Sequence, residues 1–160
     1  MQHAIRYGCL LTTPGVIVTR ATWRDVAALW RWEGVCFPHE AYDPLTLLWL
    51  VAWPGNVALK ATVGNELVGF VAGDQPWGDG CAWIVMLGVL PRFRRQGIGA
   101  RLLAECEARL ARPALRLMVR EGNAPAIALY AKSAYVHVRR QARYYADDEA
   151  GLLMEKRRGE

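Results

Sequence analysis

A chain of 160 residues is enough for one domain and too short for two ordinary ones, so one core must carry the whole protein. With 53% hydrophobic residues it can bury that core without metal or disulfide staples, and a net charge of +5, from 20 Lys+Arg against 15 Asp+Glu, suits an anionic ligand. No arginine run exceeds two residues, the cysteines Cys9, Cys36, Cys81 and Cys106 form no C-x-x-C pair, and no apolar run approaches a membrane span, which argues against a nucleic-acid arm, a zinc knuckle, a redox dithiol and a bilayer protein.

The stretch from Met1 to Thr13 has one early arginine and a short apolar patch, too little for a signal peptide, so a cytoplasmic protein with reduced thiols is expected. Val16 to Val18 read as a strand. Thr22 followed three residues later by Asp25 forms a capping box for a helix ending near Cys36, before Pro38. Asp43-Pro44 places a cap residue ahead of a first-turn proline, so a second helix should run from Leu45 to Trp53 and stop at Pro54-Gly55. Val57 to Val63 and Leu67 to Ala72, joined by Gly64-Asn65, make a hairpin, and Trp83 to Val89 a third strand of the group. Beyond Pro91, Ile98, Leu102, Cys106 and Leu110 recur every four residues on one face of a helix that ends before Pro113. Leu115 to Val119 is a strand, and Asn123 to Ser133 a helix with Pro125 in its first turn. Tyr135 to Arg143 and Leu152 to Lys156 are two last strands around Asp147-Asp148. The tryptophans, Trp23, Trp30, Trp49 and Trp53 on the first two helices among them, read as mainly structural.

Chemistry concentrates between Val89 and Ala100, where a strand leads through the basic turn Pro91-Arg92-Phe93-Arg94-Arg95-Gln96-Gly97 into a helix. The first N–H groups of a helix have no internal partner and sit at the positive end of its dipole, so this turn suits a phosphate. Gly97 and Gly99 would let the anion approach the backbone, and Arg94 and Arg95 add charge. Neither the G-x-G-x-x-G of a dinucleotide fold nor the terminal Gly-Lys-Ser/Thr of a P-loop is present.

Arg94-x-x-Gly97-x-Gly99-Ala100, preceded by Val89-x-Pro91 and followed by Asn123-x-x-Ala126-x-x-Leu129-Tyr130, resembles the GNAT acyltransferases, which use acetyl-CoA. The resemblance covers about Val16 to Lys156 of a single domain. Glu33-x-x-Cys36-Phe37-Pro38, Val119 to Asn123 and Arg143 to Asp148 look most like the ribosomal-protein N-terminal alanine acetyltransferases. It implies an α/β (α+β) fold, a mixed and mostly antiparallel sheet splayed between its fourth and fifth strands with helices on both faces. It also implies an acetyl-CoA-dependent enzyme acting on an amine. Leu87, Gly88 and Val89 would offer backbone to the pantetheine arm, Arg94, Arg95, Gln96, Gly97, Ile98, Gly99 and Ala100 would wrap the pyrophosphate, and Asn123 would touch the cofactor or simply cap its helix. Tyr130 would be the general acid or, on its residue type alone, a half-buried core aromatic.

Where that subfamily is expected to carry a glutamate base, this chain has Met118, and Glu33 or Glu121 could substitute, with His39 and His137 as further candidates on pKa grounds. Ala134-Tyr135 replaces the usual Gly-Phe. Phe37, Tyr42, Tyr144 and Tyr145 would line an acceptor groove or pack in the core. The expected reaction is direct transfer to a protein N-terminal amine by a monomer or homodimer, without nucleic acid or membrane as partner. A small amine such as a polyamine or an aminoglycoside is the alternative acceptor, and a CoA-binding module without catalysis the alternative class.

Overall fold

The computed structural model describes residues 15–78 and 80–159. Cys9 and the stretch from Met1 to Thr13 lie outside the described residues, as do the expectations attached to them. Local chemistry places most element boundaries. The Thr22 N–H donates to the Asp25 carboxylate at 2.8 Å, but this box opens a 3-10 turn over Trp23–Asp25, and α1 follows at Val26–Cys36. Asp43 accepts the N–H groups of Leu45 and Thr46 to start α2, Pro44–Ala52. The strands are β1 Val16–Arg20, β2 Val57–Val63, β3 Glu66–Asp74, β4 Cys81–Val89, β5 Ala114–Arg120, β6 Val136–Gln141 and β7 Gly151–Arg157, and the other helices are α3 Ile98–Arg109 and α4 Ala124–Lys132.

These strands form one sheet in the order β1-β2-β3-β4-β5-β7-β6. Every neighbouring pair is antiparallel except β4 and β5, which run parallel and pair only from Cys81↔Ala114 to Trp83↔Arg116. Beyond Trp83 the two part, so β4 from Ile84 to Val89 has β3 on one side and no strand on the other. The register against β3 slips there, from Ala72↔Met86 to Gly73↔Ile84, and leaves Val85 as the extra residue of a bulge, a device that bends a strand. The expected splay between the fourth and fifth strands is present.

Each face of the sheet has its own core. On one, Ile98, Leu102, Leu103, Cys106 and Leu110 pack on Val71, Ala82, Ile84 and Leu117, with Tyr130 from α4. On the other, Leu29 and Trp32 of α1 and Leu47, Leu50 and Val51 of α2 cover Ala58, Phe70, Ala72 and Met86. The tryptophans correct the sequence reading. Trp23, Trp30, Trp49, Trp53 and Trp77 are exposed and Trp32 is buried. α2 is apolar all round, so its spacing could not show that Leu47, Leu50 and Val51 face the sheet while Leu45, Leu48, Trp49 and Trp53 face outward. β6 is shorter than expected, because Ala134 at φ +69° turns Tyr135 into the core before the edge strand begins at Val136. Among the described residues no helix is long and apolar enough to cross a membrane.

Candidate active site

The residues expected at a pyrophosphate form one turn between β4 and α3. A 3-10 turn over Pro91–Phe93 leads through Arg94, Arg95 at φ +64° and Gln96 to Gly97, which caps α3 at φ +81°, where an L-residue is strained and glycine is not. The first main-chain bond back into the helix is Arg101 N–H to the Gly97 carbonyl, so the N–H groups of Ile98, Gly99 and Ala100 remain at the positive end of a twelve-residue helix with no acidic side chain in its first turn. A Cβ at Gly99 would meet only ordinary contacts, Leu129 at 3.5 Å and Val89 at 3.8 Å. The protein's own packing therefore does not demand glycine there, whereas close approach of a phosphate would. The set fits the diphosphate end of coenzyme A. Arg94 also ties the turn to the end of β4, its Nε donating to the Val89 carbonyl at 2.9 Å. Arg95 is exposed, with no partner among the described residues.

Leu87, Gly88 and Val89 lie on the unpaired stretch of β4. Leu87 and Val89 pack toward α3, and a Cβ on Gly88 would come within 3.0 Å of both the Phe37 and the Trp32 rings. Those two rings meet edge to face at 6.0 Å, so Phe37 is a packing residue as well as a candidate groove residue. The contact of Gly99 with Leu129 shows that α4 closes over this turn.

Tyr130, next to Leu129 on α4, is 7% exposed, and its hydroxyl has no hydrogen-bond partner among the described residues. Burial pushes its pKa up to about 12, so the phenol is protonated and available as a donor at neutral pH. Asn123 does cap α4, its Oδ1 accepting from the Ala126 N–H at 3.2 Å, which leaves its amide N–H groups for another partner.

On the opposite face, Glu33 of α1 is completely buried. One carboxylate oxygen accepts the Tyr42 N–H at 2.9 Å, and the other has no partner among the described residues. Desolvation raises its pKa, the Tyr42 hydrogen bond works against that, and nearby Asp43 adds to it. Glu121 is a different kind of group. It is exposed, paired to Arg140 at 2.7 and 2.8 Å, and that pair holds it below the usual carboxylate range, which makes it a poor proton acceptor. His39 and His137 are both exposed, His137 on the edge strand β6. Met118 projects beside the acceptor loops, since a Cβ at Gly151 would lie 2.6 Å from its Cε and 3.0 Å from the Tyr144 ring.

The acceptor loops are held by a residue the sequence reading passed over. Arg120, at the end of β5, pairs with Glu40 of the α1–α2 loop, with Asp147 at 2.8 Å and with Glu149 at 2.5 Å in the β6–β7 loop, and covers the Tyr145 ring at 4.1 Å. Tyr145 and Tyr144 meet edge to face at 5.0 Å. Tyr42 is raised in pKa by burial and by the nearby Glu33, Tyr144 and Glu40, so both loops and the buried glutamate come close to this one ring. Tyr42 and Tyr144 are 40% and 44% exposed, as groove walls would be. Arg120 and Glu40 stand 80 positions apart, so no local pattern announced them.

A family model described as the acetyltransferase (GNAT) family matches residues 23–135. A catalytic subunit of the N-terminal acetyltransferase B complex from Arabidopsis thaliana, NAA20, is 32% identical over 117 residues, 69% of this chain and 67% of that protein. The crystal structure of the ribosomal-protein-S18-alanine N-acetyltransferase from Escherichia coli superposes with a TM-score of 0.78 at 22% identity, covering 88% of this chain and 92% of the other. A crystal structure of Arabidopsis thaliana NAA60 with acetyl-CoA gives a TM-score of 0.78 at 21% identity, covering 89% and 98%. These last two likenesses speak to the fold.

Proposed function

The chain belongs to the GNAT acetyltransferase family, and from that membership we propose that it transfers an acetyl group from acetyl-CoA directly to the α-amino group of a protein N-terminus. The carrying observation is the meeting of the α1–α2 and β6–β7 loops on Arg120, beside a buried glutamate with one unpartnered oxygen. A groove between two loops suits the end of a chain laid across it. The N-terminal acetyltransferase named for NAA20 supports the same acceptor.

Acetyl-CoA supplies an activated thioester carbonyl. The free N–H groups at the start of α3 would hold its diphosphate, β4 beyond Trp83 would pair with its pantetheine arm, and Asn123 would add an amide contact. An α-amine titrates near 7.7 to 8.0, against about 10.4 for lysine, so it needs little help to lose its proton. Glu33, its pKa raised by burial, takes that proton. As the amine nitrogen bonds to the carbonyl carbon and the C–S bond breaks, the Tyr130 hydroxyl gives its proton to the departing sulfur. Holding both reactants in one cleft supplies much of the rate. Cys36 is unsuited to an acyl-enzyme, because burial pushes its thiol up to about 11.

The carboxylates around the groove also favour a second acceptor, a small polycation. Release of CoA thiol, measured with free peptides, N-blocked lysine peptides and polyamines in parallel, tests both. Release that requires a free peptide N-terminus is expected. Turnover with polyamines alone would overturn the N-terminal reading in favour of the second.

A further inference from the structure

Resting on the protein N-terminus reading, we propose that the groove selects acceptors with basic residues immediately after the reactive N-terminus. The protein as a whole carries a charge of +5, yet the sign is reversed here. Residues 37–43 and 142–150, the two groove loops, hold Glu40, Asp43, Asp147, Asp148 and Glu149 against one cation of their own, Arg143. Arg120 from β5 is the cation paired with Glu40, Asp147 and Glu149, and one guanidinium cannot neutralise three carboxylates. Asp43 is committed to the start of α2, and Asp148, at φ +64°, has no side-chain partner among the described residues.

A second observation points independently to a cationic ligand. Glu33 is wholly buried, and its Oε2 lacks any donor among the described residues while its Oε1 is fixed to the loop at Tyr42. A buried carboxylate oxygen without a donor is costly, and an ammonium seated between the two loops would satisfy it once the Tyr42 loop that covers Glu33 gives way. The acceptor's amine therefore addresses Glu33, and the side chains that follow it meet the surplus charge of the outer carboxylates. An acidic residue in the second or third position would meet like charge, which penalises wrong partners more than it changes the chemistry.

The test compares free-N-terminal peptides that differ only by lysine, glutamine or glutamate at the second and third positions, at about 0.05 M and about 0.5 M salt. The lysine peptide is expected to exceed the glutamate peptide by about 10-fold in kcat/KM at low salt, chiefly through KM, with most of the difference gone at high salt. Asp148→Asn removes one groove charge and no contact, asparagine tolerates the positive φ, and it should shrink the preference about 2-fold with an unchanged melting temperature. Equal rates for all three peptides, a preference for glutamate, or a lysine preference indifferent to salt would each overturn this inference while leaving N-terminal acetylation intact. Silence of every peptide alongside turnover of polyamines would overturn the N-terminal reading and this inference with it.

Discussion

The two halves of the site are built from different materials. On the proposed cofactor side, recognition would rest on backbone: free N–H groups at the start of α3, a glycine with positive φ, and the unpaired length of β4. On the proposed acceptor side it would rest on side chains that distant parts of the chain bring together, Glu33 from α1, Glu40 and Tyr42 from one loop, Arg120 from β5, and Tyr144 to Glu149 from another. Backbone recognition tolerates sequence change as long as the turn survives, whereas an ion-paired groove changes its preference with each substitution. One fold can thus keep a donor and vary its acceptor.

Substitutions should separate the halves. The largest effect is expected at Tyr130, where the two meet. Tyr130→Phe removes the proton donor and little else, since the hydroxyl bonds no described residue. It should lower kcat by about 10²-fold or more, with CoA affinity and melting temperature close to the parent's. Isothermal titration with CoA beside steady-state rates checks it, and an unchanged kcat would sink the acid role. With a pKa of about 12, Tyr130 also imposes no alkaline limb on kcat below about pH 10.

Glu33→Gln sharpens the contrast further, because activity and stability should move in opposite directions. The folded-state pKa of Glu33 is raised, so below the ordinary glutamate range both folded and unfolded forms are protonated and nothing is lost. As the pH rises past that range the unfolded state ionises first, and the buried carboxylate then costs stability. Glutamine keeps the Tyr42 hydrogen bond without the charge. Its melting temperature should exceed the parent's at pH 8 by more than at pH 5, while kcat/KM falls about 10²-fold and loses the acid limb that Glu33 imposes. A parent-like acid limb in the variant would remove Glu33 from the role of base.

Much of the cofactor half was legible in the sequence for a physical reason. Val89 to Ala100 is one continuous stretch in which strand end, turn and helix start each carry their own signal, and a backbone site needs only local geometry. The acceptor half was legible only in pieces. Met118 stood out as a missing carboxylate, and the tyrosines could be named, but Arg120 and Asp147 are separated by 27 residues and Arg120 and Glu40 by 80, so their meeting depends on the sheet. Glu33 and Glu121 were equal candidates by residue type. Burial parted them, leaving one carboxylate dry and half-partnered and the other exposed and doubly paired to Arg140. The outward face of α2 was hidden for the opposite reason, since a helix with no polar side gives periodicity nothing to read.

Arg120 tests whether the halves are separable at all. Arg120→Ala leaves Glu40, Asp147 and Glu149 facing one another without a cation and uncovers Tyr145, so both groove loops should loosen. The acceptor KM should rise about 10-fold, while the dissociation constant for CoA, set by the β4–α3 turn, stays where it was. Lysine in its place restores charge but not the forked geometry, and should recover part of the loss. Equal losses in CoA and acceptor binding would show that the loops and the turn act as one unit.

The smallest effect is expected at Ala134, which marks how little the turn after α4 matters to either half. Its φ of +69° is a conformation that costs an L-residue about 1 kcal/mol, and glycine adopts it freely. Glycine also gives the unfolded chain more freedom, which takes back about half of that gain. Ala134→Gly should therefore stabilise the protein by no more than about 0.5 kcal/mol, seen in denaturant unfolding as a slightly higher midpoint with the same slope. The turn directs the buried Tyr135 against Tyr130 at 5.9 Å, so relaxing it leaves that ring pair in place and kcat unchanged. A gain in stability accompanied by a fall in kcat would mean that the strained alanine holds Tyr130 in position, and the proton donor would then depend on a departure from the Gly-Phe pattern that now reads as a matter of packing.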